Sequence, residues 1–111
     1  MKAPRVPFHD NHAMSDLIAR YTISLIEHSD ELARALVVSD LDRITDISHK
    51  IKGSAGGYGF DSISRVAARI EMETLAVESD LSLITNQVED LITLCRNPGK
   101  DTNGGSDVRA E

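Results

Sequence analysis

The apolar residues of this chain recur at intervals of three and four positions in four successive stretches. This spacing lines them up along one face of an α-helix. Short polar segments containing serine, aspartate or glycine separate the four stretches. Four amphipathic helices with short connections pack into an antiparallel bundle. The sequence therefore predicts an all-α protein, an up-down-up-down four-helix bundle.

Capping residues indicate where each helix starts and stops. Serine and aspartate are favoured just before a helix, and glycine or proline just after one. Within the helices, Cys95 occupies an apolar position of the fourth and is expected to be a buried hydrophobe, while His28 is expected at the edge of the core. The predicted helices run from Ser15 or Asp16 to about Val38, from Asp40 to Gly56, from Asp61 or Ser62 to about Glu78, and from Ser79 or Asp80 to Asn97.

A chain of 111 residues is long enough for one domain and too short for two. Residues 1–13 are expected to form a flexible arm, because Pro4 and Pro7 disfavour a helix. Residues 14–97 are assigned to the bundle. Residues 98–111 are polar and show no periodicity, which predicts a disordered tail.

Composition excludes several classes of function. The formal net charge of −6 argues against nucleic acid as a partner, since phosphate backbones require a basic surface. No apolar run approaches the roughly 20 residues that span a bilayer, so we expect no membrane insertion. A single cysteine cannot form an internal disulfide, and the N-terminus lacks the apolar centre of a secretory signal. A cytoplasmic location is expected.

The second stretch contains a histidine with unusual neighbours. His49 lies roughly 160–200° around the helix from Ile47 and Ile51, so it faces water if they face the core. Lys52, Gly53 and Gly56 share its face. A glycine inside a helix costs about 1 kcal/mol relative to alanine. We infer that Gly53 keeps the approach to the imidazole open and that Lys52 would neutralise an anion there.

An exposed imidazole with an adjacent cation suits a phosphoryl carrier. The histidine belongs to the run His49-x-x-Lys52-Gly53-Ser54-Ala55-x-x-Tyr58-Gly59-Phe60. This run resembles the signature of histidine-containing phosphotransfer (Hpt) domains, the intermediate carriers of phosphorelays. The similarity extends over roughly residues 15–96, and it implies the same four-helix fold.

The resemblance assigns a role to each matching residue. It implies that His49 accepts the phosphoryl group, that Lys52 steadies it and that Gly53 clears the approach. Ser54 matches a small polar position of the motif and is assigned to the approach and docking surface. By spacing alone, Gly56 joins the approach surface and Lys50, about 100° away, contributes to docking at most. Two further positions belong to the turn: Gly57 and Gly59 are expected to terminate the helix, and Tyr58 and Phe60 to pack the turn against the bundle.

The resemblance also implies which partners this chain has. The partners would be receiver domains of response regulators and a hybrid sensor histidine kinase, and the receiver would hold Mg²⁺. No cofactor or metal is expected on this chain, and a monomer would suffice. The sequence contains no glycine-rich nucleotide loop, so we expect a carrier and not an enzyme.

Other interpretations remain open at this point. His49 alone would be read as an ordinary exposed helix residue, and Asp46-x-x-His49 as half of a metal site, although di-metal bundles need two such pairs and further glutamates. An Hpt-like scaffold that binds a receiver or kinase without carrying phosphate is the main alternative. Arg65 and Arg69 would either flank the phosphorylated face or pair with Glu73 and its neighbours.

Overall fold

A computed structural model describes residues 7–99 of the chain, with side chains from Ala13 onward. Its four helices are α1 (Pro7–Val37), α2 (Leu41–Gly57), α3 (Asp61–Leu75) and α4 (Leu81–Arg96). Helix α1 packs beside α2 and α4, and α3 also packs beside both. Because the connections are short, successive helices run in opposite directions. The predicted all-α bundle is confirmed, and no strand occurs between residues 7 and 99.

The core is built from the apolar faces that the sequence pattern identified. All four helices contribute side chains that are almost completely buried, as expected for amphipathic helices. Cys95 is buried among them. At one end, Tyr21 of α1 stacks on Tyr58 with ring centroids 4.4 Å apart, and Phe60 packs beside it. The largest fully buried aliphatic residues are Leu25, Leu32, Ile44, Ile47, Ile51, Ile63, Ile70, Ile84, Val88 and Leu91.

Helix α1 begins earlier than predicted. The segment from Pro7 to Ala13, expected to be part of an arm without structure, is helical. Proline is compatible with the first turn of a helix, because its missing N–H has no partner there in any residue. Pro7 therefore starts the helix where it was expected to prevent one. Residues 1–6 lie outside the described part of the chain.

The two ends of α2 show how the sequence positions this helix. Asp40 is the N-cap, and its carboxylate accepts a hydrogen bond from the Arg43 amide at 3.1 Å. At the other end, the Phe60 amide donates to the Ala55 carbonyl at 2.9 Å and the Gly59 amide to the Gly56 carbonyl at 3.2 Å. These two bonds define a Schellman motif.

Only one of the two glycines expected to terminate α2 does so. Gly59 has φ +87°, the left-handed conformation that ends the helix. Gly57 is instead the last helical residue. The Schellman motif places its left-handed residue two positions after the last helical one, so Gly59 alone meets the requirement.

Helix α3 differs from its predicted limits at both ends. Its N-cap position is Phe60, not Asp61 or Ser62, because the α2 turn already ends there. It stops at Leu75 and not near Glu78, since the Ser79 hydroxyl donates to the Glu73 carbonyl at 2.9 Å and satisfies a terminal acceptor. As a result Val77 lies beyond the end of α3 and is fully exposed.

Helix α4 follows its prediction closely. Asp80 is its N-cap and accepts from the Leu83 amide at 3.1 Å, and Asn97 is its C-cap. Of the tail predicted to be disordered, residues 98–111, only Pro98 and Gly99 are described, and both are helical, which contradicts the prediction for these two residues. No helix within residues 7–99 is long and apolar enough to cross a membrane.

Candidate functional site

His49 lies in the middle of α2 on the side facing away from the core. Its neighbours Ile47, Ser48 and Ile51 are buried, whereas 64% of the His49 side chain is exposed. The imidazole is therefore accessible to a macromolecule, as the periodicity predicted.

Glu71 of α3 joins His49 to Lys52. One carboxylate oxygen lies 2.7 Å from His49 Nδ1, and the other lies 2.7 Å from Lys52 Nζ. The Glu71 side chain is only 16% exposed, so most of it is packed against the bundle. A histidine on α2, a lysine one turn further on and a glutamate on α3 thus form one cluster.

The contact with Glu71 fixes which imidazole nitrogen carries the proton. A carboxylate can only accept, so Nδ1 must be the donor. In the neutral ring Nε2 is then the unprotonated nitrogen, with its lone pair directed away from Glu71. The carboxylate therefore sets the tautomer and the orientation of the exposed nucleophile.

Electrostatics keeps this carboxylate ionised. The hydrogen bond from Lys52 lowers the pKa of Glu71 below its ordinary value, and the hydrogen bond from His49 lowers it further. Partial burial opposes both effects, because it disfavours the charged form, but it is outweighed. At neutral pH the cluster thus holds a permanent acceptor for Nδ1–H.

Lys52 lies where the sequence placed it, but it already has a partner. Its side chain is 40% exposed, and the ammonium group is bound to Glu71. An ammonium has three donors, so Glu71 leaves others for an incoming anion.

Three glycines follow His49 in the second half of α2. Apart from the chain neighbours and the adjacent helix backbone, a Cβ built on Gly53 would have no atom within 4 Å, and the same holds for Gly57. Packing inside the chain therefore gives no reason for glycine at position 53. Gly56 differs, because its Cβ would lie 3.4 Å from the Ser64 hydroxyl of α3. It lies at the contact between α2 and α3.

Two residues with expected docking roles lie away from the cluster. The Ser54 hydroxyl bonds to the Tyr21 hydroxyl and donates to the Lys50 carbonyl at 2.9 Å, so it faces α1. Lys50 is exposed and pairs with Asp46 at 3.4 Å. The structure thus brings together His49, Lys52 and Gly53, but not Ser54 or Lys50. A role for either in docking stays a prediction.

A shallow groove adjoins His49 on the side of the α2 N-terminus. It lies between α2 and α3, and a hydrogen bond of 2.6 Å from the Thr45 hydroxyl to the Thr74 hydroxyl connects the two helices there. Asp46, considered as a metal ligand together with His49, pairs with Lys50 instead. Within residues 13–99, whose side chains the structure describes, no three histidine, cysteine, aspartate or glutamate side chains are arranged to hold a metal ion.

The arginines of α3 lie away from the cluster. At about 100° per residue, Arg65 and Arg69 lie roughly 120° and 160° around the helix from Glu71. Arg65 contacts the Ser62 hydroxyl at 3.3 Å. Neither pairs with Glu73, whose carboxylate accepts from the Asp80 amide at 2.9 Å. The alternative of Arg65 and Arg69 flanking the histidine is not supported.

Glu71 is the site residue that sequence reasoning missed. The sequence feature that could have identified Glu71 was its position next to Ile70, which lies on the core face of α3. That signal is weak, because Glu73 and Glu78 are also acidic and only the packing of α3 on α2 decides which carboxylate meets His49.

Comparison with known families gives an independent result. The family model described as Hpt domain matches residues 16–97, which is most of the chain. Searches of curated proteins and of solved structures returned no match. The matched region contains all of α2, α3 and α4 and therefore the whole His49 cluster. The chain thus belongs to the Hpt domain family, whose members are phosphocarrier modules of two-component signalling.

Proposed function

We propose that this protein is a phosphorelay intermediate. It accepts a phosphoryl group on His49 from the aspartyl phosphate of a receiver domain and passes it to the aspartate of another receiver. The observation that carries the proposal is the hydrogen bond between His49 Nδ1 and Glu71, which leaves Nε2 unprotonated on an open surface. A preset tautomer and a clear approach are what a carrier nucleophile requires.

The transfer step follows from this arrangement. The Nε2 lone pair attacks the phosphorus, a P–N bond forms, and the bond from phosphorus to the aspartyl oxygen breaks to release a carboxylate. No proton has to leave the ring first, because the proton stays on Nδ1 and Glu71 stabilises the positive charge that develops there. Lys52 lies on the same face of α2 as His49 and would neutralise the charge on the phosphate oxygens. The reverse sequence delivers the group to the next receiver.

The partner would supply the rest of the chemistry. Phosphoryl transfer depends on positioning and charge neutralisation, and a receiver would contribute Mg²⁺ and the aspartate. We assign this chain no bound cofactor and no kinase activity. Its partners would be response-regulator receivers and a hybrid sensor histidine kinase, met in the cytoplasm and engaged by a monomer.

The decisive experiment is phosphoryl transfer from a panel of phosphorylated receiver domains. Wild type and His49→Gln are compared, since glutamine has a similar size and no nucleophilic ring nitrogen. We expect acid-labile, alkali-stable label on wild type alone, and phosphorus–nitrogen coupling in NMR spectra at Nε2. Label at Nδ1 would contradict the proposed tautomer, and equal label on both proteins would contradict the assignment of His49.

The same experiment separates the carrier from a scaffold. Specific receiver binding without transfer to wild type would identify a docking protein with an Hpt fold. Back-transfer from purified phosphoprotein to unphosphorylated receivers then tests the second half of the relay. A carrier should lose its label to a receiver far faster than to water.

A further inference from the structure

The ion pair between Glu71 and Lys52 affects the phosphorylated form of His49 more than the unphosphorylated form. The carboxylate of Glu71 contacts Lys52 Nζ and His49 Nδ1 at the same distance, 2.7 Å. The cation available to a phosphate on His49 is therefore already neutralised before any phosphate arrives. Both partners of this ion pair are held, since Glu71 is largely buried and Lys52 is partly so.

Phosphorylation would place a second anion beside the same lysine. A phosphate on Nε2 carries close to two negative charges at neutral pH. It would compete with Glu71 for Lys52, and the two anions would also repel each other across the imidazole ring. Glu71 thus assists the attack by Nε2 and opposes the accumulation of its product.

We propose that Glu71 weakens the hold of Lys52 on the phosphoryl group, and so biases His49 toward giving up phosphate. The inference rests on the proposed carrier function and deepens it. It assigns to Glu71 an effect on the transfer equilibrium, in addition to its effect on the tautomer. Glu71 is a positioning residue in this scheme, because it acts through His49 and Lys52 and makes no bond to the phosphorus.

A double-mutant cycle tests the inference. Wild type, Lys52→Gln, Glu71→Gln and the double variant are each equilibrated with one receiver and its phosphorylated form at pH 8. The equilibrium constant for transfer to His49 is measured in each case. An effect of Glu71 on the tautomer alone changes this constant by the same factor with or without Lys52, whereas competition for Lys52 makes the effect of each substitution depend on the other residue.

We expect Glu71→Gln to move the equilibrium toward phosphohistidine. The glutamine has no charge, and its amide can face Nδ1 either as acceptor or as donor. We further expect Lys52→Gln to lower the equilibrium constant more in the Glu71→Gln background than in wild type, by a factor of about three or more, the size usual for directly contacting residues. Equal effects in the two backgrounds would overturn the inference.

Asp46→Asn provides the matched control. It removes a negative charge one turn before His49, but Asp46 pairs with Lys50 and not with Lys52. Its effect should be smaller than that of Glu71→Gln and independent of Lys52. An equal, Lys52-dependent shift for Asp46→Asn would show a general charge effect and contradict the specific role of Glu71. If no phosphoryl group were transferred to wild type, the proposed carrier function itself would be contradicted.

Discussion

At the scale of single residues, the site depends on the two oxygens of one carboxylate. His49 and Lys52 were recognisable in the sequence because both lie on one helix, where spacing gives direction. Glu71 was not, because it comes from α3 and its contact depends on how two helices pack. It nevertheless contacts the Nδ1 atom of His49, which determines the position of the imidazole proton, and it forms an ion pair with Lys52.

The lowered pKa of Glu71 predicts how stability depends on pH. Its contribution to the free energy of unfolding is present above the ordinary glutamate pKa, about 4.3. It is lost as the pH falls through that value toward the lowered pKa in the folded protein, because the unfolded chain takes up the proton first. The stability difference between wild type and Glu71→Gln, measured by urea unfolding, should therefore shrink from pH 6 to pH 3.

Glu27→Gln, which removes a carboxylate from an exposed position of α1, serves as the control, and its stability difference is measured over the same pH range. A difference for Glu71→Gln that grew on acidification would contradict the sign of the pKa shift.

Gly53 predicts a conflict between stability and activity. Since a Cβ there would meet no atom beyond its own stretch of helix, Gly53→Ala should stabilise the protein by about 1 kcal/mol, the gain in helix propensity. The added methyl lies one turn from His49, so transfer from a receiver should slow. Urea unfolding and transfer kinetics measure the two effects on the same protein.

Gly57→Ala is the matched comparison for Gly53→Ala. Its Cβ is equally unobstructed, but it lies two turns from His49 at the end of α2. We expect a gain in stability and a transfer rate close to that of wild type. Wild-type transfer by Gly53→Ala would mean that the glycine serves some purpose other than access.

At the scale of the helices, the same turn geometry closes α1 and α2 with different residues. The Asp40 amide donates to the Ala35 carbonyl at 2.9 Å and the Ser39 amide to the Leu36 carbonyl at 3.1 Å, which is again a Schellman motif. Its left-handed position is Ser39, with φ +55°, where the second motif has Gly59. The end of α1 therefore carries strain that the end of α2 lacks.

This difference predicts opposite effects for two substitutions. A left-handed conformation costs a non-glycine residue about 1–2 kcal/mol, so Ser39→Gly should stabilise the protein by up to about 1 kcal/mol. Gly59→Ala should destabilise it by a similar amount or more. Thermal unfolding of both variants checks the prediction, and a loss of stability in Ser39→Gly would contradict it.

The helices also show how far local sequence determines the fold. Asp40 and Asp80 were predicted as caps because an aspartate side chain satisfies amides within its own turn. The end of α3 could not be predicted in this way. Ser79 acts on the Glu73 carbonyl six residues back, and this contact exists only after the chain has turned toward α4. Local patterns give the helices and the starts of α2 and α4, whereas the end of α3 and the register between helices require contacts that form only in the folded chain.

At the scale of the whole molecule, a single core supports the site. Leu25 of α1 is fully buried, whereas Leu17 on the same helix is 44% exposed. Leu25→Ala should therefore cost roughly 2–5 kcal/mol, as for other large-to-small changes in cores. Leu17→Ala should cost much less.

Unfolding of these two variants tests whether the bundle is one cooperative unit. We expect the unfolding transitions of Leu25→Ala measured by far-UV circular dichroism and by NMR signal intensity to coincide. Equal destabilisation by the two leucine substitutions would contradict the assignment of Leu25 to a common core.

The turn that ends α2 and the start of α3 share a residue, with no linker between them. Phe60 completes the turn that ends α2 and is at the same time the N-cap position of α3. One added or deleted residue there would rotate α3 by about 100° relative to α2 and carry Glu71 away from His49. Over evolutionary time, insertions and deletions should therefore accumulate between Leu75 and Leu81 and be purged between His49 and Glu71, so that the separation of these two residues is inherited as a fixed length.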